Sequence, residues 1–205
     1  MDFEEHLSNV CKKGSQKVSA LARMARILSF PRRKLILNTF IESQFSYCPL
    51  VWMFCSKKLN RKINYIHERT LRLVYKDYTS TFDELLQKDE SLIFHHHRNI
   101  HQLAIEMYKV KNNLSPIFMQ ELFTHNPARG KDRFLRPNVK SVTYGENSLR
   151  VFGPIIWNEM LPENLKSCVS LESFKESIKG WIPTICKCGL CKTYIPRVGY
   201  VHVTE

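Results

Sequence analysis

Ser56-Lys-Lys-Leu-Asn-Arg-Lys-Ile-Asn-Tyr-Ile-His-Glu-Arg-Thr-Leu-Arg-Leu-Val-Tyr-Lys76 carries two interleaved helical stripes. Ser56 suits an N-cap, and Leu59, Ile63, Ile66, Leu73 and Val74 recur at the steps that put one apolar face towards a core, which predicts a helix to about Tyr75. Beside them, at the same spacing, run Lys58, Lys62, Tyr65, Arg69, Arg72 and Lys76. A row of cations with an aromatic among them can follow a phosphate backbone and offer a ring to a sugar or base. An ordinary solvated helix face has the same composition, although here only Glu68 stands mid-helix to neutralise it.

Such a helix needs partners of the same kind, and the flanking segments supply them. Leu7, Val10, Cys11, Val18, Leu21, Ala25 and Leu28 form one stripe, with Gly14-Ser15 expected to loosen or break the helix midway. Pro31 suits the first turn of a second helix, and the run from Leu35 to Tyr47 is apolar almost all round, which predicts burial. Thr81 and Glu84 form a capping-box pattern for a short helix from Phe82 to Lys88. Ser91 is a cap candidate for the next, with Ile93, Ile100, Leu103, Met107, Val110 and Leu114 facing inward. Residues 125 to 144 are polar and irregular, with Pro127, Gly130 and Pro137, and form the expected domain boundary. Beyond them, Ser141–Tyr144 and Ser148–Phe152 flank a Gly-Glu-Asn turn as a candidate hairpin, and Gly153-Pro154 opens a helical turn. The last helix has Leu171, Phe174, Ile178 and Trp181 on one face, Ser170 as cap and Gly180 as stop. The expected fold is mainly α. A helical bundle over 1–78 is followed by a helical extension over 79–124, and 125–205 form a C-terminal region with a short hairpin, a helix and a Cys-rich tail.

The chain has 205 residues and a hydrophobic fraction of 43%, enough for a real core and too much for a wholly disordered protein. Lys and Arg number 31 against 19 Asp and Glu, a net +12, which favours polyanionic partners. Asp2, Glu4 and Glu5 stand where a signal peptide would be basic and then apolar. The greasy stretch Phe45–Cys55 is broken by Pro49 and falls short of the roughly 20 residues of a membrane span. An intracellular protein, nuclear or cytoplasmic and without a membrane partner, is expected. Its seven cysteines then read as reduced thiols rather than a disulfide framework.

Two clusters have metal-ligand chemistry. His97 and His101 share a helix face, but Arg-Asn-Ile between them lacks the glutamate of a helical zinc-protease motif, and core or surface histidines account better for the run His95-His96-His97. Cys186, Cys188 and Cys191 can converge on one zinc ion, with His202 the nearest fourth ligand in sequence and Cys168 another. The alternative is a set of free thiols. No Gly-rich phosphate loop, no Gly-x-Ser-x-Gly elbow and no adjacent acidic pair beside an apolar strand is found.

The segment from Arg33 to Trp52 with Leu59–Asn64 and His67–Tyr75 resembles the region just downstream of the palm in LINE-type (non-LTR) retrotransposon reverse transcriptases. Tyr144–Arg150, Phe152–Trp157, Leu161-Pro162, Ser173-Phe-Lys175, the run Cys186–Tyr194 and Val198-Gly-Tyr200 resemble the C-terminal ends of the same elements. The resemblance implies a thumb of packed helices, which in such polymerases grips template and primer backbone. It also places fingers and palm, with the catalytic aspartates, before Met1, so no polymerase activity is expected from these residues alone. The expected function is sequence-independent binding of RNA or DNA template–primer backbone through Lys58, Lys62, Tyr65, Arg69 and Arg72, helped by Lys12, Lys13, Lys17, Arg32 and Arg33. The alternatives are a domesticated module that docks a protein partner on surface left bare by the missing palm, and a gene fragment with no selected role.

Overall fold

The computed structural model describes residues 3–89, 92–126, 133–141, 145 and 148–183, with the backbone of 193–195 and 199–201. The fold is mainly helical, as expected. It forms two compact units, one built on Met1–His96 with the tail from Lys187, the other on His97–Cys186. The division therefore falls inside a helix, neither near residue 78 nor in 125–144 where the composition changes.

In the first unit, α1 (Glu4–Met24) buries Leu7, Cys11, Val18 and Leu21, the stripe expected from spacing. It runs without a break through Gly14, contrary to expectation. A Cβ at Gly14 would stand 3.2 Å from Phe45 Cζ and 3.6 Å from Ile66 Cγ2, so glycine is what lets the helices close here.

The chain then enters α2 (Phe30–Ile36) with Pro31 in its first turn, widens into a π-helical turn over Leu37–Glu42, and closes as α3 (Ser43–Ser46). The expectation of burial all round is corrected. Leu37, Ile41 and Phe45 are buried, whereas Leu35, Phe40 and Tyr47 are each more than half exposed. A single helix can turn only one face to a core, and the apolar run is wider than that face. A short α4 (Pro49–Trp52) leads to α5 (Lys57–Tyr75), the central helix of this unit. Leu59, Ile63, Ile66, Leu71 and Val74 of α5 pack with α1 and with Phe82 and Leu85 of α6 (Phe82–Gln87) in one core. Thr81 and Glu84 cap α6 reciprocally, Glu84 N–H donating to Thr81 Oγ1 at 3.3 Å and Thr81 N–H to Glu84 Oε2 at 2.7 Å.

α7 (His95–Lys111) passes from the first unit into the second. The proposed cap Ser91 lies outside the described residues. Leu114 does not share the buried face: Asn113 turns left-handed at φ 56°, the helix has ended, and Leu114 is exposed. In the second unit, α8 (Ile117–Leu122) is followed by two-residue strands β1 (His125–Asn126) and β2 (Arg133–Phe134), paired antiparallel. Ser148–Phe152 is not a hairpin strand. It is Ser148 as N-cap plus the start of α9 (Leu149–Ile155), which continues as a π-helical turn over Ile156–Met160. The buried set Val151, Phe152, Ile156 and Trp157 recurs at helical steps, a pattern that a five-residue window cannot separate from alternation. A Cβ at Gly153 would lie 2.7 Å from both Met107 Sδ and Phe123 Cε1, so the helix packs there through bare backbone. After α10 (Glu163–Lys166), α11 (Leu171–Lys179) is capped by Ser170, whose Oγ accepts from Ser173 N–H at 3.1 Å, and ends at Gly180. In the tail, β3 (Thr193–Ile195) pairs antiparallel with β4 (Gly199–Val201). Among the described residues no helix is long and apolar enough to cross a membrane.

His101 of α7 gives the second unit a pH dependence. Its Nε2 lies 2.7 Å from the Trp181 carbonyl oxygen, as donor, and its ring stacks on Trp181 at 5.6 Å. Burial pushes the imidazole below its ordinary value of 6.5, against the pull of the Trp181 hydrogen bond, and the charge of Arg98 adds to the lowering. A depressed folded-state value means stability that is present above about 6.5 and is lost as pH falls below it. Thermal unfolding should therefore show a falling midpoint below that pH, and His101→Gln should flatten the fall. Parallel pH profiles for the two proteins would contradict the assignment.

Candidate nucleic-acid interface

α5 is buried on most of its circumference, at Leu59, Ile63, Asn64, Ile66, His67, Glu68, Thr70, Leu71 and Val74. The part left to solvent is a narrow ridge, and Lys58, Lys62, Tyr65 and Arg69 occupy it one turn after another. Lys76 extends the ridge in the left-handed cap at φ 54°. The N-terminal end of α5 carries Lys57, Lys58, Arg61 and Lys62 with no acid in the first turn. A helix N-terminus already bears partial positive charge, so this distribution is unfavourable to the free protein and relieved by an anion.

Lys62 also faces α1. With Ser8, Asn9, Lys12, Ser15, Gln16, Ser19 and Arg23 it lines a groove of about 550 Å³, and none of these eight residues is acidic. Three cations among hydroxyl and amide groups is a donor-rich surface suited to phosphate oxygens. Lys12 was expected in this role and Arg23 was not. Arg23 follows Lys12 at a spacing of 11, three helical turns, so its signal is legible once α1 is known to run unbroken.

The remaining expected cations divide by what they touch. Lys13 and Arg32 are exposed. Lys17 donates to the Phe40 carbonyl at 3.0 Å and lies over the Phe40 ring, which ties it to the π-helical turn. Arg72 turns back on α5 and grips Glu68, with Nη2 at 2.5 Å and Nε at 2.9 Å from Oε1; its side chain is 13% exposed, so it neutralises a buried acid instead of facing solvent. Arg33 is buried: its Nε donates to the Val74 carbonyl at 2.8 Å and its Nη1 to the Leu28 carbonyl at 2.6 Å. Both are structural cations, which helical spacing alone does not distinguish from binding ones.

The zinc candidates Cys186, Cys188, Cys191 and His202 lie outside the described residues. Cys168 is a free thiol near Asn164 O and Ser177 Oγ. A different ligand-type cluster is present in the first unit: Glu42 Oε1 lies 3.6 Å from His67 Nε2 and 3.6 Å from His95 Nε2, all three residues being buried. Nothing in sequence spacing marks it, because the three come from separate helices. The Nε2 of His101 is engaged by the Trp181 carbonyl at 2.7 Å. Comparison of the chain with protein-family models, with curated proteins and with solved structures finds no match.

Proposed function

We propose that the first unit binds nucleic-acid backbone without base selection, along the α5 ridge and the groove that Lys62 shares with α1. The observation that carries this is the exposure of Lys58, Lys62, Tyr65 and Arg69 on one face while the other sides of the same helix are packed. Lys58 and Lys62 sit one turn apart, about 6 Å of rise, and Arg69 two turns further on, with Tyr65 presenting a ring between them. On the resemblance to LINE-type reverse transcriptases, this helix would be part of a thumb and a template–primer RNA or DNA its ligand.

A second proposal is favoured by another surface. Leu35, Phe40, Tyr47 and Val51 are exposed between α2 and α4, which suits a protein partner. The two differ in salt dependence. Binding of a labelled template–primer duplex, followed by fluorescence anisotropy, should weaken steeply and log-linearly between about 50 and 200 mM salt. Affinity that is flat with salt would contradict phosphate binding and favour apolar docking.

A further inference from the structure

We infer that Glu42, His67 and His95 form a binding site for one divalent ion of the zinc class inside the first unit. The ligand atoms lie within 4.8 Å of one another, and Glu42 Oε1 stands 3.6 Å from each imidazole Nε2. That separation is longer than a hydrogen bond of about 2.7–3.2 Å. It is close to the edge of a coordination tetrahedron, roughly 3.4 Å for bonds of about 2.0–2.2 Å to nitrogen and oxygen. Two imidazoles and one carboxylate are a ligand set for zinc or ferrous iron, whereas calcium and magnesium take oxygen donors.

The backbone supports the same assignment. Glu42 ends the π-helical turn Leu37–Glu42. In α-helical winding, at 100° per residue, Glu42 would stand roughly 140° round from Leu37; the wider turn brings it towards the buried face. The walls are apolar: the Phe45 ring lies 4.9 Å from His95, and Phe82 meets His67 edge-on at 5.5 Å. His67 is held by α5 and His95 by the first turn of α7, so an ion here would clamp three helices that the chain brings together from distant positions. The alternative is a buried ion pair between the carboxylate and one protonated imidazole, with no metal.

Cys186, Cys188 and Cys191 carry thiols that could compete for the ion, so the test uses the full chain with all three replaced by Ser, stripped with chelator and titrated with Co2+ alone. About one Co2+ per chain should bind, with visible d–d absorption, no thiolate charge-transfer band in the near ultraviolet, and a raised thermal midpoint. His95→Gln and His67→Gln should each reduce uptake at least tenfold. Glu42→Asp, which introduces no new atoms into the core, should weaken it while folding is retained. No Co2+ uptake by the triple-Ser protein overturns the site without recourse to any core variant. So does uptake that survives replacement of both histidines.

Discussion

Replacing Arg33 with Ala is expected to lower the unfolding free energy of the first unit by about 3 kcal/mol and to leave the salt dependence of nucleic-acid binding unchanged. The guanidinium is buried, and it donates to the carbonyls of Val74 and Leu28, groups that the end of α5 and the segment after α1 leave without helical partners. Hydrogen bonds from a charged donor contribute roughly 1.5–3 kcal/mol, and each buried acceptor left unmet costs roughly 1–3. Their overlap makes about 3 a fair sum. The loss lands where the backbone is already strained, since Lys76 holds a left-handed conformation at φ 54° immediately after α5. Beyond it the Asp77 carboxylate accepts from Ser80 N–H and Oγ and from Thr79 N–H, and Lys88 pairs with it. Lys88 first and Ser80 second hold that carboxyl well below the usual range. Arg33→Lys should recover little, because one ammonium does not reproduce two diverging N–H donors. Urea unfolding followed by circular dichroism measures the effect. An Arg33→Ala protein of native stability with a shallower salt slope would mean that Arg33 contacts phosphate after all.

The contrast between Arg33 and Lys62 shows how far the sequence could be read. Periodicity located α1, α5 and α11 because each has one clear apolar face, and the Thr81–Glu84 capping box located α6; that box and the Ser170 cap are local devices within three residues. The run from Leu35 to Tyr47 misled because its apolar residues surround the helix, and only the π-helical turn decides which of them face inward. Gly14 reads as a break from propensity, yet it is a contact point with Phe45, a residue of a different helix. Ser148–Phe152 is too short for its period to identify it. In the candidate interface, the exposed ridge follows from one helix and was legible. The roles of Arg33 and Arg72 depend on a carbonyl and a carboxylate in particular places. The Glu42–His67–His95 cluster depends on three helices at once, so linear spacing contains no trace of it.

The second large effect concerns the ridge and groove. Lys12, Lys58, Lys62 and Arg69 are exposed cations on α1 and α5. Changing all four to Gln keeps long, polar, helix-compatible side chains and opens no cavity, so helicity and unfolding midpoint should stay near wild type. Each phosphate contact contributes about 0.9 to the slope of log affinity against log salt on duplex DNA, so four lost contacts flatten it by roughly 3–4 units and weaken binding most at low salt. Arg72 is left intact because removing it would strand buried Glu68 and confuse a stability loss with a binding loss. Tyr65→Ala in the same protein should weaken single-stranded ligand further with little change in slope, as lost stacking is not a counterion effect. The decisive measurement is the salt titration of a template–primer duplex with wild type and the quadruple Gln variant, both verified as folded. A slope reduced by roughly 3–4 units is the expected result; equal slopes would contradict nucleic-acid binding through α5.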